Sequence, residues 1–153
     1  MRILSDTTYL LPAIGVSVRG LPRTAISKLR KHGHELMISN ITIFELAAKG
    51  AKLTTANRLS MGRVTEGLKA ILHDPDIETV QFTDLDILSR ASSIRSEIDD
   101  FIDCLILSSA ATKADILLTE DEKLQDLALD DAMLSKLKPT NPDFRVQSLR
   151  LLT

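Results

Sequence analysis

The feature that most constrains this chain is its alternation of short apolar runs with segments of helical periodicity. Extended candidates fall at 2–5 (RILS), 35–39 (ELMIS), 76–82 (ending IETVQF), 115–119 (DILLT) and 144–147 (FRVQ). Each is a few residues long and bounded by Asp, Asn, Gly or Pro, as strands are. Between them Leu21 to His32 places Leu21, Ala25, Ile26 and Leu29 at helical spacing, with Pro22 at its start and Gly33 past its end. Ile41 to Gly50, Leu85 to Ile98, the nearly all-apolar Phe101 to Ala114 and Glu120 to Leu129 read as further helices. Residues 53–73 are weaker, because Gly62 and Gly67 interrupt the pattern, and read as a mobile basic helical flap. The Pro139/Pro142 stretch reads as a loop. Strands that alternate with helices predict an α/β fold: a parallel sheet of four to five strands covered by helices on both faces, a three-layer α/β/α arrangement. At 153 residues, with no linker, repeat or low-complexity tract, residues 1–153 are expected to form one domain.

In such folds ligands sit outside the carboxyl ends of the strands, so residues there are the first candidates for chemistry. Asp6 ends the first extended run, Glu45 lies about one and a half turns into the helix after the second, and Asp121 follows the fourth. Asp103 interrupts an apolar helix, where an unpaired charge is costly to bury, and Asp100 lies three residues earlier on the same face. Carboxylates forced together repel and take up protons unless a cation holds them, and hard Mg²⁺ or Mn²⁺ suits oxygen ligands. Each residue also has a plainer reading. Asp6 and Asp121 suit helix N-caps, as do Ser39, Asn40, Asp99 and Asp100; Thr119 with Glu122 has capping-box spacing; Glu45 alone reads as solvent-facing.

Charge sharpens the picture. Residues 1–73 carry eleven Lys/Arg against four Asp/Glu, and residues 74–153 carry eight against seventeen, although the net charge is only −2. A basic half attracts phosphates and clustered carboxylates hold cations, which together suit a metal-dependent nuclease; the alternative is two solvated faces. Four Phe, one Tyr and no Trp argue against an aromatic platform for bases. The single Cys104 beside Asp103 reads as a small core residue, and one Cys with three His excludes the usual zinc sets. His32 and His34 lie in a basic turn and read as surface residues. The polar SDTT inside the first fifteen residues breaks any signal-peptide core, no run approaches a membrane span, and the lone cysteine fits a reducing compartment, so a cytoplasmic location is expected.

With these residues in place, the chain resembles the PIN-domain ribonucleases, a family that includes toxins of the VapBC type. ILSDTTYLLP resembles the family's opening strand followed by Asp and Thr/Ser; SNITIFELA resembles its S-x-x-T-x-x-E helix; FIDCLILSSAATKADILLTEDEKL resembles its Asp-led apolar helix, strand and T-x-D ending. The motifs span nearly the whole chain in order. Glu120 and Glu122 add negative charge beside Asp121, and the segment after Leu124 lacks the aromatic found in many relatives.

The resemblance implies a PIN-like fold and an acidic quartet of Asp6, Glu45, Asp103 and Asp121, supported by Thr119, with Asp100 as a fifth carboxylate by helical proximity. Asp6 and Asp103 become the principal metal ligands, Glu45 binds metal or its water, and Asp121 completes or tunes a second position. The implied chemistry is hydrolysis of an RNA phosphodiester assisted by one or two Mg²⁺ or Mn²⁺ ions, without a covalent enzyme intermediate. Lys49, Lys52, Arg58 and Arg63 are then candidates for RNA-backbone contacts with salt-sensitive binding. Implied partners are a second copy of the chain in a homodimer and a small antitoxin protein. Rival readings are an inactive PIN-fold binding or assembly module and, less well matched, a receiver-like phosphoacceptor domain. A HAD-type phosphatase lacks its second Asp, since Thr8 stands there, and no P-loop motif is present.

Overall fold

The computed structural model describes residues 1–128 and 130–152. Five parallel strands form one sheet: β1 (Arg2–Ser5), β2 (Glu35–Ser39), β3 (Ile77–Val80), β4 (Ile116–Leu118) and β5 (Arg145–Gln147), in the spatial order β3-β2-β1-β4-β5. The first two crossovers step outward from β1 on one side. The chain then returns across the sheet to lay β4 on the other side of β1, so the winding direction reverses between β1 and β4. That reversal opens a crevice at the carboxyl ends of these two strands, the place where such sheets bind ligands. The order also differs from the 2-1-3-4-5 order of flavodoxin-like receivers, which removes the phosphoacceptor reading.

Period-2 alternation divides the sheet's side chains between two helical layers. Leu4, Met37, Val80 and Leu117 pack beneath helices α4 (Leu85–Ser93), α5 (Phe101–Lys113) and α7 (Asp131–Leu137), through Ile87, Ala91, Leu107 and Met133. On the other face Ile3, Leu36, Ile116 and Leu118 pack against Tyr9, Ala25 and Leu29 of a 3₁₀ segment (Thr7–Ile14) and helix α1 (Ala25–Lys31). Ile38 joins Leu46, Val64 and Ile71 of helices α2 (Asn40–Thr55) and α3 (Met61–Leu72). Each Val, Leu, Ile or Met side chain among these contributes about 1.5–3 kcal/mol when fully buried. Helix α6 (Glu122–Leu127) closes the carboxyl edge of β4.

The expected elements are present, with informative differences. Helix α1 starts at Ala25, because the residues around Pro22 form a turn, and α4 stops at Ser93, its expected continuation to Ile98 being turns that bury Ile94 and Ile98. Of the helix expected over 120–129, α6 covers Glu122–Leu127, and residue 129 lies outside the described residues. Helix α7 lies in a stretch that the sequence leaves unassigned, just before the Pro139/Pro142 loop: only Met133 and Leu137 are buried in seven residues, too short a span for periodicity to register. Its ends are set locally, Asp130 accepting from the Ala132 amide at 2.9 Å and Lys138 adopting a left-handed φ of 46°.

The expected flap over 53–73 is instead the end of α2 and a docked α3. Gly50 and Gly67 mark close approaches: a Cβ on Gly50 falls 2.5 Å from Val64 Cγ1, and one on Gly67 falls 2.2 Å from the Ala13 carbonyl oxygen. Glycine here lets α3 lie on α2 and on the 3₁₀ segment, and this contact outweighs its poor helix propensity. Among the described residues no helix is long and apolar enough to cross a membrane.

Candidate metal and nucleic-acid site

The crevice at the carboxyl ends of β1 and β4 is a depression of about 360 Å³ lined by Asp6, Thr7, Thr8, Glu45, Lys49, Asp100, Asp103, Glu120 and Asp121. All four carboxylates of the expected quartet line it, as does Asp100. A second depression of about 190 Å³ continues from it, sharing Asp100, Asp103 and Asp121 and extending to Glu97, Asp99 and Lys123. A larger hollow of about 580 Å³ lies at the opposite, amino ends of β2 and β3, between Arg30, His34, Glu35 and Glu78. It is far from the point where the winding reverses, so the acidic crevice is the candidate of interest.

Capping and site geometry turn out to be the same feature. Asp6 follows β1 and N-caps the 3₁₀ segment: its Oδ1 accepts from the Thr7 amide at 2.6 Å and its Oδ2 accepts from Thr119 Oγ1 at 2.9 Å. Thr119, fully buried after β4, also accepts from the Asp121 amide at 3.1 Å, so one hydroxyl joins the loops after β1 and β4. Asp121 caps α6, with both of its bonds, to Lys123 N at 2.8 Å and Leu124 N at 3.2 Å, falling on Oδ1. The cap of α6 is therefore Asp121, not Thr119. Asp100 caps α5 through Oδ1 to the Ile102 amide at 2.8 Å. A cap engages one carboxylate oxygen and leaves the second for other work.

Glu45 sits on the second turn of α2, one turn beyond the buried Thr42. Its carboxylate accepts from Thr7 Oγ1 and lies 3.5 Å from Lys49 Nζ, one helical turn on, so it is neither free nor simply solvent-facing. Ser39 makes no capping bond; its hydroxyl accepts from Ser109 at 3.3 Å, and Asn40 ties α2 to the end of β3 through Gln81 and the Phe82 amide.

Asp103 differs from the others. It occupies the first turn of α5 rather than its middle, and among the described residues its side chain has no hydrogen-bond donor and no ion pair. Burial, then the charges of Asp100, Asp6, Glu45 and Asp121, push its carboxyl up to about 7. Burial also raises Asp6, opposed by its bonds from Thr119 and the Thr7 amide. Both shifts have the sign expected of carboxylates that are buried and held close to other carboxylates.

Lys49 is the one basic side chain lining the crevice among the described residues. Lys52 and Arg58 are exposed further along α2 and in the turn after it. Arg63 is engaged elsewhere, its guanidinium donating to the carbonyls of Ala13 and Pro12 and so tying α3 to the end of the 3₁₀ segment. Cys104 is buried behind Asp103, and burial pushes its thiol up.

Two participants escape sequence reading. Thr7 is the group that holds Glu45. Glu120, read from sequence only as extra charge, lines the crevice and accepts from Tyr9 Oη and from the Leu149 amide at 3.1 Å. The Thr7 signal was present as the residue after Asp6; nothing local foretells the link from Glu120 to Tyr9, whose phenol is held protonated by burial and by that carboxylate.

The donor set suits a hard divalent cation. Among the described residues no three His, Cys, Asp or Glu side chains already stand as a ready-made metal cage. Mg²⁺ does not require one, since it keeps several waters and is bound through one or two carboxylates. The unpaired Asp103 and the second oxygens of Asp100 and Asp121 are donors of that kind, and the crevice has room for a hydration shell.

Comparison with known proteins agrees with the fold. A family model described as PIN domain matches residues 3–129. A solved structure of VapBC2 from Rickettsia felis bound to a DNA fragment from their promoter contains a chain that is similar with a TM-score of 0.59 at 16% identity, over 97% of this chain and 98% of that one. No curated protein matches in sequence.

Proposed function

The chain belongs to the PIN domain family, and from that premise we propose that it is a metal-dependent ribonuclease, a VapC-like toxin endoribonuclease that hydrolyses RNA phosphodiester bonds with Mg²⁺ or Mn²⁺. The observation that carries the reading is Asp103: a carboxyl without donor or counter-ion, facing four other carboxylates and raised to about 7. Removal of a buried charge is cheaper for a fold than its retention unless a ligand compensates. A cation is the ligand that compensates here, and perturbed carboxylates in a crevice are a mark of function.

In this reading Asp103 and Asp6 hold the cation, Glu45 and Asp121 hold it or its waters, and Asp100 adds charge at the rim. A bound divalent ion supplies an activated water and neutralises charge on the phosphate in the transition state. The protein's own contribution is position. Thr119 fixes Asp6 relative to Asp121, Thr7 fixes Glu45, and Lys49 lies where a phosphate flanking the cleaved bond is drawn in. Lys52 and Arg58 extend positive charge along α2 and into the turn after it for the RNA backbone; Arg63, engaged with the Ala13 carbonyl, contributes field more than contact.

The VapBC likeness supports an antitoxin partner; the enzyme is further proposed to be a cytoplasmic homodimer in which residues 1–153 act as one unit. The test is incubation of the purified protein with labelled single-stranded RNA in Mn²⁺, Mg²⁺ or EDTA, beside an Asp103→Asn variant. Cleavage that needs the metal and is lost in the variant is the expected result. Folded, inhibitor-free protein that cleaves in no divalent ion overturns it and favours the inactive binding module.

A further inference from the structure

Glu120 poses a problem that the acidic quartet does not solve. It is exposed, so it has every freedom to turn into bulk water, away from the negative charge of Asp6, Asp103 and Asp121. Instead one of its oxygens, Oε1, is gripped from two sides: by the hydroxyl of Tyr9, whose ring is only 3% exposed, and by the Leu149 amide at 3.1 Å. The Leu149 amide is also 3.1 Å from the same Tyr9 hydroxyl, so residues 9, 120 and 149 meet at one point. A buried tyrosine needs a partner for its hydroxyl, but a carbonyl serves that need without adding charge. Fixing an exposed carboxylate gains little stability by itself, and here it adds negative charge to a crevice already crowded with it. Both bonds fall on Oε1, and Oε2 remains for the crevice that Glu120 lines.

We infer that Glu120 is a further carboxylate of the cation site, acting through Oε2 on the ion or its hydration shell, and that Tyr9 is the positioning residue that holds it there. The inference rests on the metal-dependent reading above. It gives the 3₁₀ segment two roles, with Thr7 orienting Glu45 on one side of the crevice and Tyr9, two residues on, orienting Glu120 on the other. It also makes the C-terminal segment around Leu149 part of the site's support. Groups that support a metal site from beyond its direct ligands ordinarily change metal affinity by about 10–100-fold; Glu120 acting on the hydration shell falls at the low end of that range, and Tyr9, which acts only through Glu120 and shares its hold with the Leu149 amide, falls below it.

The experiment is Mn²⁺ titration of the full chain without RNA, by calorimetry, for the wild type, Glu120→Gln, Tyr9→Phe and the double variant, with circular dichroism as a check on folding. Tyr9→Phe keeps the buried ring and removes only the hydroxyl. The expected result is roughly tenfold weaker binding for Glu120→Gln, roughly threefold weaker for Tyr9→Phe, and no further loss when Tyr9→Phe is added to Glu120→Gln. Wild-type affinity in Glu120→Gln overturns the inference while leaving the metal site intact. An equal loss from Tyr9→Phe with or without Glu120 overturns the positioning role, because a structural effect is independent of that carboxylate. A folded wild type that binds no Mn²⁺ overturns the metal-dependent reading itself, a result distinguishable from both.

Discussion

Replacing Asp103 by Asn is expected to stabilise the metal-free protein while abolishing its activity. In the folded chain the carboxyl titrates near 7, against 3.8 for an unperturbed Asp. Below pH 3.8 folded and unfolded chains both keep the proton, and Asp103 is without penalty. As pH rises toward 7 the unfolded chain releases its proton and the folded chain does not, so stability falls, and above 7 the loss is constant. The full difference corresponds to about 4 kcal/mol as an upper limit. Relaxation of a half-buried site reduces this, and a gain of about 1–3 kcal/mol for Asp103→Asn at about pH 8 is expected. For a chain of this length that raises Tm by several degrees, at about 2–4 °C per kcal/mol. Thermal and urea unfolding in EDTA at about pH 4.5 and about pH 8 measure it: the variant's advantage is small at the lower pH and full at the higher. On the proposed metal-dependent reading, Mn²⁺ is expected to reverse the order by binding the folded wild type more tightly than the variant. A variant less stable than wild type in EDTA at the higher pH, or an advantage equal at the two pH values, refutes the claim that Asp103 is held against its charge.

Two further substitutions test the frame around the site. Thr119→Val keeps the shape of a fully buried side chain but removes the donor to Asp6 and the acceptor for the Asp121 amide; a loss of about 1–3 kcal/mol in urea unfolding is expected, and an unchanged midpoint contradicts the bridge. Gly67→Ala places a Cβ 2.2 Å from the Ala13 carbonyl and is expected to cost about 1–3 kcal/mol through displacement of the 3₁₀ segment. Gly62→Ala in the same helix meets nothing within 4 Å and is expected to add about 0.5–1 kcal/mol. Equal effects from the two alanines show that α3 is not docked as described.

What the sequence by itself determined is what neighbouring residues decide. Strands and helices were legible because burial imposes periods of two and of about 3.6 on residues close in the chain, and Asp6, Asp100 and Asp121 were legible because caps and strand ends are local events. Helix α7 failed to register for the same reason in reverse, having too few turns for a period. The tertiary structure decided everything that joins distant residues. The strand order places β1 beside β4, and only then do Asp6 and Thr119, 113 residues apart, share a hydrogen bond. Gly50 reads as the end of a helix and Gly67 as an interruption of one until the partners that require their missing Cβ atoms, Val64 and Ala13, are in place. Arg63 reads as an RNA contact until the carbonyls it binds are seen, and Glu120 as stray charge until Tyr9 and Leu149 close on it. Local rules specify which groups a chain can offer at the end of a strand; the packing of helices on both faces of the sheet decides which of those groups meet.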